Sequence, residues 1–129
     1  MVRDWDTIRN ILEKIEDETL FDFLKEVETE VRFKKTEKRF RYELIEHLRL
    51  LTEAGYIQGV KVHSATPERV DYSISTPSMT MEGYDLLEVL RSKTVWTSVK
   101  DRLKAAGIGL TADGIKIAIK ATLEKSIGE

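Results

Sequence analysis

The chain has no cysteine, so disulfides and thiolate-bound metals are excluded and nothing suggests an oxidising compartment. No apolar run approaches the roughly 20 residues needed to cross a bilayer. The opening stretch, MVRDWDTIRN, is charged where a secretory signal would be apolar. These absences predict a cytoplasmic protein without membrane association. Histidine is scarce as well, with only His47 and His63. His47 follows Glu43 by one helical turn, yet no His-Glu-x-x-His pair exists, and a zinc site needs three or four converging ligands. His47 therefore reads as a packed, hydrogen-bonded core histidine, and His63 as a strand residue. The glycines of GIGLTADG fit neither a P-loop nor a dinucleotide fingerprint, and no serine sits in a Gly-x-Ser-x-Gly elbow. The expectation is a protein with no catalytic residue, no metal and no cofactor, and not an enzyme.

What is present is a soluble composition, 41% apolar and 34% charged, in 129 residues. That length predicts one domain, residues 1–129, with a sizeable core. Within it, residues 1–92 read as the main body and 93–129 as helices packed on it. The net charge of −2 hides a strong asymmetry. Residues 1–30 carry four basic and ten acidic side chains, whereas residues 32–49 carry seven basic and three acidic ones. Residues 50–129 are balanced at ten each. A charge run of this kind is either a solvated face or a surface for phosphate.

Trp5, Ile8, Ile11, Leu12 and Ile15 recur at helical spacing behind Asp4, a good N-cap. A short helix over ETLFDFLKEV follows, and the alternation in VETEVRF predicts a strand from Val27 to Phe33. Thr36 opens the next helix, about Glu37 to Ala54. Its wheel places Phe40, Leu44, Leu48 and Leu51 towards the core, with Arg39, Tyr42, Glu46, Arg49 and Glu53 on the opposite face. Gly55 stops it. YIQGVKVH and RVDYSIS form a hairpin around Thr66-Pro67-Glu68. PSMTMEGYDLLEVLRS returns to helix with Leu86, Leu87 and Leu90 inward, and Gly83 in its first turn predicts a close packing contact. Two helices, TVWTSVKDRLKAA and TADGIKIAIKATLEKSI, end the chain, parted by Gly107–Gly109 and the second capped by Thr111. Their core stripes are Val95, Trp96, Val99 and Leu103, then Ile115, Ala118, Ile119 and Leu123, with Ile117 off the stripe. A hairpin behind a helix, with further helices after it, is α+β and matches a winged helix with a C-terminal helical extension.

Four stretches carry a family resemblance. MVRDWDTIRNIL is similar to an opening Met-x-Arg-Asp followed by a Leu-Ile-Arg-like helix. EHLRLLTEAGYI is similar to a Tyr-His-Leu, two leucines and Glu-Ala-Gly-Leu-Ile, with Glu46 in place of the tyrosine. MTMEGYDLL is similar to Leu-Thr-Trp-Glu-Gly-His-Asp-Phe-Leu, with Met81 for tryptophan and Tyr84 for histidine, and KTVW spans Lys93 to Trp96. The chain thus resembles an uncharacterised domain family of unknown function, common in bacterial and prophage genomes and often phage-associated. The resemblance runs from residue 1 to about 125 and implies a winged-helix-like fold. It implies no activity.

The leading expectation is DNA binding by a small phage or prophage regulator, through residues 34–49 and the 60–75 hairpin. Its candidate contacts are Lys35, Lys38, Arg39, Tyr42 and Arg49, with Lys61 and Arg69 from the hairpin. Glu46 and Glu53 on the same helical face oppose it, as does the strand expected where a positioning helix belongs. The second expectation is a protein-docking adaptor on the same scaffold. Ile117 adds a homodimer through the C-terminal helices as a further partner.

Overall fold

The computed structural model describes residues 3–107 and 111–128, the side chains of 112 and 123–128 excepted. Three helices come first: α1 (Trp5–Glu16), α2 (Leu20–Arg32) and α3 (Lys38–Glu53). A two-stranded antiparallel hairpin follows, β1 (Ile57–Ala65) and β2 (Val70–Met79). Then come α4 (Met81–Arg91), α5 (Lys93–Ala105) and α6 (Ala112–Gly128). The architecture is mixed α+β. Helix α3 packs mainly beneath β1, with α1 and α2 on its flanks, and α4 leads from the hairpin back to α1.

The strand expected from Val27 to Phe33 is helical, because α2 runs unbroken to Arg32. Val27 and Val31, four positions apart, fit a period of two and a helical repeat equally. With Leu20 and Leu24 they complete one helical stripe whose first three members are buried. Thr29 fits the helix by donating its hydroxyl to the Lys25 carbonyl at 3.0 Å. The chain order is therefore three helices and then a hairpin.

The ends of the first three helices share one device. After α2 the N–H of Lys35 reaches the Glu30 carbonyl (2.8 Å) and that of Lys34 reaches Val31 (3.1 Å). The same paired bonds follow α1, through Thr19 and Glu18, and α3, through Tyr56 and Gly55. Each is a Schellman motif, which needs its pivot residue in the left-handed region. Gly55 meets that need at φ 81°, whereas Glu18 (62°) and Lys34 (59°) hold it with a Cβ attached. Left-handed geometry is unfavourable for such residues.

Ile11, Leu12, Leu48 and Leu86 are fully buried, and the core draws on every helix and on both ends of the hairpin. The expected core residues of α1 and α4 lie inside, as do Val99, Leu103, Ile115, Ala118 and Ile119. Trp5, Val95 and Trp96 are half-buried against that core. The side chain of Leu123 and the residues Ile108 and Gly109 lie outside the described residues. Thr111 caps α6 as expected, accepting from the Gly114 N–H at 3.0 Å.

Two assignments on α3 change. Phe40, expected inward, is 48% exposed, because it sits in the first turn, ahead of the part that β1 covers. Glu46, expected outward, is 7% exposed. Helix α3 is packed by α1 on one flank and β1 on the other, so Leu44 to Leu48 are all buried and little of its circumference meets solvent.

The closest backbone approach lies where α3 hands over to β1 and β2 to α4. The Tyr56 carbonyl accepts the N–H of Thr80 at 3.1 Å. Thr80 donates its hydroxyl to the Gly55 carbonyl at 2.7 Å and accepts the Gly83 N–H at 3.1 Å. A Cβ on Gly83 would lie 2.1 Å from the Tyr56 oxygen, so the contact anticipated from its position is real. Gly83→Ala should therefore lower unfolding free energy by about 3 kcal/mol, measured by denaturant titration. Lys34→Gly should raise it by roughly 1 kcal/mol in the same measurement, by removing left-handed strain at an exposed position.

Candidate nucleic-acid interface

The basic stretch folds into two different electrostatic settings. Along α3 the arginines are taken up by carboxylates. Arg39 Nε meets Glu43 at 3.3 Å, one turn on. Arg49 holds Glu46 with two bonds, 2.9 and 2.6 Å, and Glu53 with a third at 2.9 Å. Hydrogen bonding from Arg49 keeps the Glu46 carboxyl below its ordinary range, against a smaller opposing effect of burial. The same bonds push the Arg49 guanidinium further up. Arg41 Nε donates to Glu28 at 2.7 Å, and its Nη2 reaches the Val70 carbonyl at 3.4 Å.

At the corner between α2 and α3 the setting is the opposite. Arg32, Lys34, Lys35 and Lys38 are exposed, and among the described residues none has a carboxylate within ion-pair distance. The Schellman turn projects the middle two; the exposed Glu37 stands among the lysines, and Glu30, beside Lys35, accepts the Thr36 hydroxyl at 2.7 Å. Lys61 and Arg69 on the hairpin are likewise exposed without a carboxylate partner, Arg69 closing the turn with Thr66. The hairpin is held to the helices by one shared carboxylate. Glu28 accepts from Arg41 and, at 3.2 Å, from the Tyr72 hydroxyl. Burial, then the charge of Glu28, pushes the Tyr72 phenol up to about 12. Because Arg41 also binds Val70, the tip carrying Arg69 is fixed relative to α2 and α3.

Of the seven candidates read from sequence, Lys35, Lys38, Lys61 and Arg69 are open to a partner. Arg39 and Arg49 are engaged by glutamates, and Tyr42 is half-buried. Arg32 was not among them. Its signal was present in the charge run, but a strand over residues 27–33 would not have placed it at the end of a helix.

The histidines serve structure. His47 is 2% exposed. Its Nε2 accepts the Asp4 N–H at 2.9 Å and its Nδ1 donates to the Glu43 carbonyl at 2.6 Å, which fixes the tautomer and ties the start of α1 to α3. His63 lies exposed on β1, 3.1 Å from the Ser73 hydroxyl. Among the described residues no cluster of three or more histidines and carboxylates is arranged to hold a metal, and no helix is long and apolar enough to cross a membrane.

Arg3 and Asp4, His47, and Trp96, from three separate parts of the sequence, line one open cleft of about 790 Å³ with Trp5, Phe40 and Lys100. Three of the stretches that carried the resemblance thus meet in one place. A family model described as hypothetical protein (DUF2513) matches residues 2–109. The chain belongs to that family. This DUF2513 chain is also similar to an uncharacterized protein of Haemophilus influenzae (strain ATCC 51907 / DSM 11121 / KW20 / Rd), 30% identical over 122 residues and 90% of each chain. No solved structure matches the DUF2513 chain.

The Glu46–Arg49 pair yields a pH prediction. A carboxyl whose folded-state pKa is depressed adds stability above its unfolded pKa and loses it as pH falls through the folded one. Glu46→Gln should cost about 1–2 kcal/mol at pH 7. The gap between parent and variant in denaturant midpoint should then narrow as pH falls below the ordinary glutamate range.

Proposed function

We propose that this chain is a small nucleic-acid-binding module of winged-helix type, a regulator of phage or prophage origin that binds and does not catalyse. Phosphate meets it at the α2–α3 corner and the hairpin. The observation that carries this reading is the division of its cations. Among the described residues, Arg32, Lys34, Lys35, Lys38, Lys61 and Arg69 have no carboxylate partner, while the arginines of α3 do. Unpartnered cations release DNA counterions at little cost. Freeing Arg49 would instead strand the buried Glu46 carboxylate, and Glu46 and Glu53 would then face the phosphates. The order of three helices and a hairpin supports the scaffold, since a helix, α2, now stands where a winged helix carries its positioning helix.

A protein-docking adaptor is the second reading, including a homodimer through the C-terminal helices. Met81 at 85% and Ile117 at 67% exposure favour it, being large apolar side chains left in solvent.

Fluorescence anisotropy of a labelled random duplex separates the two. We expect micromolar binding at low salt that weakens steeply as salt rises. Replacing Lys34, Lys35 and Lys38 by glutamate should abolish it, while glutamate at Arg39 should change it by less than about threefold. No binding at low salt, or loss through Arg39 alone, would contradict the proposal.

A further inference from the structure

We propose that the cleft between the start of α1, the outer side of α3 and α5 binds a nucleoside monophosphate, a planar aromatic anion. The corner lysines do not line it, so this site stands apart from the phosphate-binding surface above. At about 790 Å³ it falls within the size range of small-molecule sites. Its apolar wall is aromatic. Trp5 and Trp96 meet with ring centroids 5.0 Å apart and planes inclined at 56°, and each keeps part of its indole in solvent. Phe40, 48% exposed, adds a third ring. Half-open aromatic surface of this kind, with the Phe40 ring the most exposed, suits stacking by a base.

Cations stand at both ends of the indole pair. The Arg3 guanidinium lies 5.5 Å from the Trp5 ring centre, and Lys100 Nζ lies 5.5 Å from that of Trp96. Lys100, exposed beside Trp96, is the cation that a phosphate attached to a base in the cleft would meet. Each carboxylate of the cleft has a local partner, and Arg39, which pairs with Glu43, lines the cleft as a further cation. Asp4 accepts the N–H groups of Asp6 and Thr7, Glu43 takes Arg39, and Asp6 stands 3.9 Å from Arg9. His47, with both ring nitrogens hydrogen-bonded, is a wall of the cleft.

Both tryptophans of the chain line this cleft, so intrinsic fluorescence reports its occupancy. The full chain would be titrated with AMP, GMP, CMP and UMP, exciting on the red edge of indole absorption, with adenosine and inorganic phosphate as separate arms. We expect saturable quenching by at least one monophosphate, with the nucleoside and phosphate arms each weaker. Lys100→Glu and Phe40→Ala, both at exposed positions, should weaken it by about tenfold or more. Lys34→Glu with Lys35→Glu should leave it unchanged, which keeps this result separable from duplex binding. The absence of saturation with all four monophosphates would overturn the proposal, as would saturation that neither Lys100→Glu nor Phe40→Ala alters.

Discussion

The carbonyl oxygen of Tyr56 is the point on which the fold turns. It receives the N–H of Thr80 and lies against the α-carbon of Gly83, joining the start of β1 to the end of β2 and the start of α4. Thr80 completes the joint by bonding Gly55, the residue that ends α3, and Gly83. Lys116 of α6 adds its ammonium to the Ala54 carbonyl at the C-terminus of α3, where a cation also opposes the helix dipole, and pairs with Glu82 at 3.1 Å. Five elements meet there. With that joint in place the hairpin leaves α3 in a fixed direction, and Glu28 with Arg41 fixes its far end.

That geometry decides which charges remain available. Because α3 is packed on both flanks, Glu46 is drawn into the protein and takes Arg49 with it. The cations that stay open are those on the turn into α3 and on the hairpin. Surface ion pairs are individually weak, so pairing at Arg39 matters less for its energy than for the carboxylate it leaves beside any bound phosphate. The Schellman turn at Lys34 has a related consequence: a glycine would sit there with less strain, but would present no charge. A basic corner built on a strained lysine is thus compatible with use as a contact surface.

Much of the architecture was legible in the residues. The stripes of α1, α4 and α5, the stop at Gly55, the hairpin around Pro67 and the tight contact at Gly83 follow from spacing and turn chemistry. The strand assigned to residues 27–33 failed because Val27 and Val31 satisfy two periods at once, and only the packing of α2 decides between them. Phe40 and Glu46 were misplaced for a different reason. A helical wheel assumes one buried face, whereas α3 is covered on two sides near its middle and hardly at all in its first turn. The candidate interface was half legible: the charge run located the lysines, and the pairs of Arg39 and Arg49 lie at helical spacing within α3, but the pairing of Arg41 with Glu28 depended on the packing of α2 against α3. The tryptophan cleft joins residues more than ninety positions apart, and local spacing contained no sign of it.

The most direct test of the proposed phosphate contact is a residue-resolved map of amide chemical shifts on adding a short random duplex at low salt. Shifts concentrated at residues 32–38 and 61–69 would support contact by the corner and hairpin. Shifts concentrated at residues 46–53, along the face where Arg49 is held by Glu46 and Glu53, would contradict it.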